Sequence, residues 1–279
     1  MSGSSAERAA AAERVLLVVG GTEEVAAVAG WAAKRAARHP MAVTLVGMPD
    51  GGRTDGAERA SDLLHQQMPS IPVAVRLPHG PVRAALTTAA ADQDLVVLGA
   101  SRTVPLTRVL PSLLAIRLAE SLRRPVVLVP RSAGDDDGPV LVGVAGDGSD
   151  DDALRFAGAE AVAAARPLRL VHVGRRAVPP RGALARTGDE EDAPSDPARS
   201  LDAAAGAIRR SRPALGVSTA LLRGEPGAAV VRAGADASLV VVGSRRSSVE
   251  DRVPVRSVGR ALVEHPPCPI AVVPPARRA

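Results

Sequence analysis

The sequence predicts an α/β protein of two tandem domains, each an open five-stranded parallel sheet. Three observations predict this class. Short apolar runs alternate with amphipathic segments along the chain, as they do where helices cover both faces of a parallel sheet. The chain also repeats itself. Leu95-Val-Val-Leu-Gly99 matches Leu239-Val-Val-Val-Gly243, and Arg124-Pro125-Val126 matches Cys268-Pro269-Ile270, at the offset that also pairs Gly80 with Gly224 and Asp92 with Asp236. Trp31 pairs with Phe156, and Leu45-Val46 with Leu170-Val171, at a smaller common offset. The change of offset places extra residues between Val173 and Leu215. Third, 279 residues divided by two leaves roughly 140 per copy, an ordinary domain size.

The first domain is expected over 14–130. Residues 15–19 read as a central strand, and Gly20-Gly21-Thr22 turns it into a helix over about 23–38. Thr22 is its expected cap, and Glu23 and Glu24 suit its positive end. Strands are expected at 43–46, 71–77, 95–98 and 126–129. Between them, a Gly-rich loop over 49–54 leads to a helix through Leu63-Leu64, and Gly80-Pro81 opens another to about 91. Pro105 and Pro111 keep the next loop irregular before a helix over 112–122.

A polar, acidic linker, 131–138, separates the second domain, 139–274. There strands are expected at 140–144, 168–173, 216–222, 239–242 and 270–273, with helices over 152–165, 200–210 and 226–235. Residues 174–199, charged and rich in Pro and Arg, read as a long loop. The closing stretch carries the most chemistry. Gly243 ends a strand, a polar loop follows, and Ser257 opens a helix with Val258, Ala261 and Leu262 on one face. Pro266 and Pro267 stop it. A strand, a glycine and a serine-started helix can receive an anion on unpaired helix amides.

Composition narrows the function. The net charge of +5 mixes 35 basic with 30 acidic residues, and no Tyr is present. Neither a basic stripe nor stacking aromatics support a nucleic-acid partner. No apolar run reaches the ~20 residues of a membrane span. Residues 1–13 lack the apolar core of a signal peptide, so a cytoplasmic location is expected. Cys268 is the only cysteine; it reads as a small buried hydrophobe. The five His show no metal spacing. The run Asp147-Gly-Ser-Asp150-Asp-Asp152 fails as a calcium loop, since position twelve is Gly158 rather than Glu; it reads as a solvated turn with helix-start acids. No Walker sequence and no nucleophile elbow is present.

Several segments together resemble the universal stress protein family in tandem form. They are Val142-Gly-Val144 leading to Gly148-Ser149, Ala153-Leu-Arg-Phe156, Leu170-Val-His-Val173, Val241-Val-Gly-Ser-Arg245, and Ser257-Val258 through Pro267-Cys-Pro-Ile270. The first half matches more loosely, through Trp31-Ala32, Thr44-Leu-Val46 and Val97-Leu-Gly99. The resemblance implies Rossmann-like domains akin to the adenine-nucleotide alpha hydrolases, with strand order 3-2-1-4-5. It implies pairing with another copy, so 126–129 and 270–273 are expected to meet as a pseudo-dimer. It implies no catalytic reaction. Some members bind ATP, using an Asp at the end of strand one and a spaced set of glycines followed by Ser or Thr.

Carried onto this chain, the candidate nucleotide site is Gly243, Ser244, Arg245, Ser257, Val258, Ala145 and Asp147. It is degenerate. Ala145 stands at the Asp position, Asp147 falls two residues late, and Arg246 and Arg256 replace two glycines. Those arginines either fill the phosphate space or supply guanidinium donors. In the first half only Gly99 remains, and Gly20 replaces the Asp. The expectation is a non-catalytic stress protein acting through conformation or a protein partner, with weak or lost ATP binding. The alternatives are an ATP- or AMP-binding sensor using the second domain, and a nucleotide-hydrolysing enzyme. No cofactor is assigned beyond ATP or AMP as candidates, no metal is expected, and a homodimer is a further candidate assembly.

Overall fold

A computed structural model describes residues 12–20, 22–48, 55–76, 82–100, 111–131, 137–145, 149–174, 196–244 and 255–276. The first half runs β1 (Glu13–Val19), α1 (Thr22–Ala36), β2 (Met41–Gly47), α2 (Gly56–Gln67), β3 (Val73–Arg76), α3 (Val82–Ala90), β4 (Leu95–Gly99), α4 (Pro111–Leu122) and β5 (Val126–Val129). The second runs β6 (Val140–Gly143), α5 (Asp151–Ala163), β7 (Leu168–Gly174), α6 (Pro197–Ser211), β8 (Val217–Arg223), α7 (Pro226–Ala233), β9 (Leu239–Gly243), α8 (Val255–Glu264) and β10 (Ile270–Val273).

All ten strands form one sheet in the order β3-β2-β1-β4-β5-β10-β9-β6-β7-β8. Each half is therefore 3-2-1-4-5, and the halves meet through β5 and β10. That pairing is antiparallel, with Ile270 opposite Leu128 and Val272 opposite Val126, whereas the strands within each half are parallel. Two strands that would be bare edges thus cover each other.

The β1 side chains show why the apolar runs are continuous. Val15, Leu17 and Val19 enter one core, and Leu16 and Val18 enter the other. A strand alternates its side chains between faces, so a strand covered on both must be apolar throughout. The helices contribute small residues at helical spacing. Val28, Ala29 and Ala32 of α1, with Ala157 and Ala161 of α5, line the first face. Ala115, Leu118 and Ala119 of α4, with Leu262 of α8, line the second. Alanine permits close helix–sheet approach, and this fills the core without aromatics. Trp31 and Phe156 both sit half-buried against the first core, in keeping with their matched places in the repeat.

Two contacts across the halves reinforce the strand pairing. On the second face α4 meets α8, and a Cβ on Gly259 would stand 2.8 Å from Ile116 Cδ1. On the first face Arg35 joins the halves. It is 6% exposed, donates to both Glu13 carboxylate oxygens at 2.8 and 2.9 Å, and donates to Glu160 of the other half at 2.6 Å. Burial alone would lower its proton affinity, but the two carboxylates outweigh burial and raise it, so the buried guanidinium stays charged. It also lies over the Trp31 ring, 5.5 Å from the centroid, in cation–π range.

Three expectations need correction. Pro111 does not prolong a loop but opens α4, because a helix's first turn does not need the missing N–H. Ser257 does not start α8, which begins at Val255, right after Pro254. The long loop also ends earlier than expected. Asp196 accepts from the Ala198 amide at 3.1 Å and caps α6, whose first residue is Pro197. Residues 175–195 of that loop lie outside the described residues.

Candidate functional site

Each half has one place where the strand connections part. From β1 the chain moves outward to β2 and β3, and β4 lies on β1's other side; β6 and β9 stand in the same relation. Ligands of open α/β sheets bind at such a switch point, beyond the carboxyl ends of the strands.

In the second half the switch point brings together three of the expected residues. Val142 pairs with Val241, so Ala145, two residues past the end of β6, lies near Gly243 and Ser244 at the end of β9. The carboxylate there belongs to neither Ala145 nor Asp147. It is Asp150, 5% exposed, whose Oδ2 accepts from the Ala145 N–H at 2.6 Å. Asp150 precedes α5 without capping it through its side chain; the side chain turns back across the strand end. A Cβ placed on Gly243 would lie 3.6 Å from its Oδ1, ordinary contact. Asp150 was expected in a solvated turn. It is buried instead, because the β6–α5 turn folds it onto β9 and the Ala145 amide replaces water as its partner.

Ser244 is 4% exposed. Its N–H donates to the Val273 carbonyl at 2.7 Å, and its hydroxyl has no hydrogen-bond partner among the described residues. Beside the site, His172 Nδ1 lies 2.8 Å from the Val144 carbonyl. A carbonyl only accepts, so Nδ1 carries the proton. Val258 packs half-buried against the second core, which makes it a packing residue rather than a ligand. The backbone of Ser257 lies in the first turn of α8, among amides that have no partner within the helix. Asp147, Arg245 and Arg246 lie outside the described residues, and of Arg256 only the backbone is described.

The first half answers differently. Gly20 follows β1, Gly99 ends β4, and Glu24 of α1, 2% exposed, packs against Gly99. A Cβ on Gly99 would run into the Glu24 carboxylate and stand 2.9 Å from its Cβ and 3.0 Å from its Cδ. Glu24 was expected merely to favour the positive helix end; it is a buried plug. Sequence reasoning missed both acids. The available signal was an acid within a few residues of each strand that borders the switch point.

A separate cavity of about 50 Å³ opens between the halves, lined by Trp31, Arg35, Arg38, His39, Glu160 and Ser238 among others. It lies at the opposite ends of the strands and contains none of the candidate residues. Among the described residues no group of His, Cys, Asp or Glu could hold a metal ion, and no helix is long and apolar enough to cross a membrane.

Comparison with known proteins separates the halves again. Residues 138–274 match the family model Usp, the universal stress protein family. A universal stress protein from Archaeoglobus fulgidus DSM 4304 has the same fold over 94% of this chain and 96% of its own, at 15% identity and TM-score 0.59. A protein from Pseudomonas aeruginosa UCBPP-PA14 is similar over 95% of this chain and 94% of its own, at 13% identity and TM-score 0.62. The cytoplasmic domain of a prokaryotic cation chloride cotransporter also aligns, over 94% of this chain and 95% of its own, at 11% identity and TM-score 0.56. No curated protein matches the chain. Identities this low establish a shared fold and no shared activity.

Proposed function

We propose, for a chain that belongs to the universal stress protein family through residues 138–274, a non-catalytic role in the stress response, exerted through conformation or a protein partner. In this reading two units, 14–130 and 139–274, are joined by the linker 131–138 and held together as a pseudo-dimer in the cytoplasm. ATP binding is weak or lost.

The observation that carries the reading is the state of the two switch points. The acid implied for nucleotide binders is absent at both strand ends, where Gly20 and Ala145 stand, and each crevice is met by a carboxylate of the chain itself. Losing a carboxylate that hydrogen-bonds a buried nucleoside removes about 1.5–3 kcal/mol, which is roughly ten- to a hundredfold in affinity. Calorimetric titration of the intact protein with ATP and AMP tests the reading. A loss of that size leaves a micromolar site at about ten to a hundred micromolar or weaker, and affinity of about a micromolar or tighter would defeat the reading.

One observation favours a second reading, an ATP or AMP sensor that uses the second half. The buried Ser244 hydroxyl has no partner among the described residues, and a ligand could supply one. A nucleotide-hydrolysis assay on the pure protein tests the enzymatic alternative, and no turnover is expected.

A further inference from the structure

The sheet ends on β3 at one side and on β8 at the other, and the two edges are not alike. β3 is four residues long, with Pro72 before it and Pro78 soon after it, which blunts it as a template for another strand. β8 is seven residues long and holds no proline. It runs in unbroken register with β7, from Val217 opposite Leu168 to Arg223 opposite Gly174. The Leu168 amide donates to the Gly216 carbonyl at 2.8 Å. In a parallel ladder this turns the backbone groups of even-numbered residues toward β7 and those of Val217, Thr219, Leu221 and Arg223 outward. Arg209 of α6 agrees with that direction, donating to the outward Val217 carbonyl at 2.8 Å. Side chains alternate as well. Val217 packs against the first core, and Ala220 and Leu222 against the second, so Thr219, Leu221 and Arg223 stand on the first face. All three are exposed, Leu221 by 49%.

Charge says what fits this edge. α6 carries Arg199, Arg209 and Arg210 against Asp202, and β8 ends on Arg223. The nearby Glu225 carboxylate is already held by the Gly227 and Ala228 amides. No described carboxylate pairs with Arg209 or Arg223. A second copy fits poorly. Two β8 strands paired antiparallel about Ala220 would set Arg223 of one copy opposite Val217 of the other, where Arg209 lies, and bring like charges together. We propose that the outer edge of β8 takes an extended acidic peptide of a protein partner as a further strand. Its backbone pairs at Thr219 and Leu221, an apolar side chain meets Leu221, and carboxylates meet Arg209 and Arg223. A row of alternating N–H and C=O groups matches another peptide backbone; a phosphate backbone brings no donors for the outward carbonyls. The proposal names the partner that the proposed function calls for and rests on that reading. The β8 edge and the nucleotide crevices share no residue, so the two fail separately. ATP affinity of about a micromolar or tighter defeats the proposed function, and a peptide titration decides the edge.

The full-length chain is titrated against a fluorescein-labelled peptide, Glu-Thr-Val-Thr-Val-Thr-Glu, whose side chains read the same in either direction, so either strand polarity is served. The control peptide has Lys at both ends. Fluorescence anisotropy should show the acidic peptide binding about tenfold tighter or more than the control. Leu221→Pro removes an outward N–H without touching the ladder to β7 and should weaken binding about tenfold or more. Arg209→Glu combined with Arg223→Glu should reverse the preference between the peptides. Thermal melts check folding, and the charge-reversed variant tests the proposal even where the proline variant does not fold. Equal affinity for both peptides, no binding of the acidic one, or wild-type affinities in the folded variants overturns the proposal. A wild-type dimer in sedimentation that Leu221→Pro dissolves also overturns it, because the edge then belongs to a second copy. So does peptide binding that appears only after Asp189, Glu190, Glu191 and Asp192 are neutralised to Asn and Gln, because the chain then fills its own edge.

Discussion

At the end of β4, Glu24 presses on Gly99; at the end of β9, Asp150 stands at ordinary contact distance from the place a Cβ on Gly243 would take. The two glycines occupy the same position in the repeat and the same edge of the same kind of crevice. They are there for different reasons. Gly99 is required because nothing larger fits under a buried side chain. Gly243 is not so constrained, since the nearest atom to such a Cβ is Asp150 Oδ1 at 3.6 Å. A glycine retained at a phosphate-motif position is therefore no evidence of a phosphate. In the first half the residue that explains it belongs to the chain.

The comparison presumes that both halves sit in one rigid sheet, and the largest expected effect attacks that premise. Arg35→Ala leaves the part-buried carboxylates of Glu13 and Glu160 without their shared cation. Breaking a fully buried ion pair by removing one partner costs about 3–5 kcal/mol; both carboxylates keep some solvent, so a fall of about 2–3 kcal/mol is expected in chemical denaturation. A loss below about 1 kcal/mol would mean that the guanidinium is no real tie between the halves.

The glycines themselves come next. Gly99→Ala should destabilise by about 1–3 kcal/mol, the usual cost of overpacking, while Gly243→Ala should stay within about 0.5 kcal/mol. Adding Glu24→Ala should recover much of the Gly99→Ala loss, because the two residues share one space and their effects cannot add. Equal costs at Gly99 and Gly243 in denaturant melts would erase the contrast between the crevices.

How much of this was legible in the sequence depends on the range of the interaction. The strands were legible because a strand buried on both faces must be apolar at every position; their order in each half came from the family resemblance. The start of α6 was legible in principle, since Asp196-Pro197 is a cap followed by a first-turn proline; the surrounding charge and proline content hid it. Glu24 and Asp150 were not legible. An acid in a helix's first turn has a sufficient local reason to be there, and only the fold shows that its side chain is turned in over a glycine far along the chain. Arg35 was hidden for the same reason, because its partner Glu160 lies in the other half. Of the candidate site carried over from the family resemblance, the backbones of Ala145, Gly243 and Ser244 lie together at the ends of β6 and β9. Val258 went to the core, as its helical spacing with Ala261 and Leu262 already read; only the family motif had made it a site candidate.

A smaller effect concerns Cys268, which stands where the first half has Arg124. The thiol is fully buried, and burial pushes its pKa up to about 12. It should resist a thiol reagent in the native protein at mildly alkaline pH, with labelling only as fast as the chain opens. Rapid native labelling would show that the start of β10 is looser than its packing implies.

The smallest effect is a pH dependence at the outer end of the first half. Burial alone would raise the Asp94 carboxyl, but hydrogen bonds from Arg14 and its charge outweigh burial and hold it below the usual carboxylate range. A carboxylate held low when folded stabilises above its unfolded pKa, about 3.9, and loses that contribution as pH falls through the folded value. Asp94→Asn should therefore lower stability slightly at neutral pH and not at all in strong acid. The pair is well exposed, so the difference should shrink in high salt. A difference that persists in acid would rule out the charge as its source.

The contrast between the crevices is tested most directly by hydrogen exchange of the full-length protein with and without ATP at high millimolar concentration. Slowed exchange is expected at Val144 and Ala145, at the start of α5, and at Gly243 and Ser244, with no change around Gly20, Glu24 and Gly99. Protection centred on the first-half residues would show that Glu24 does not close its crevice, and would contradict the account.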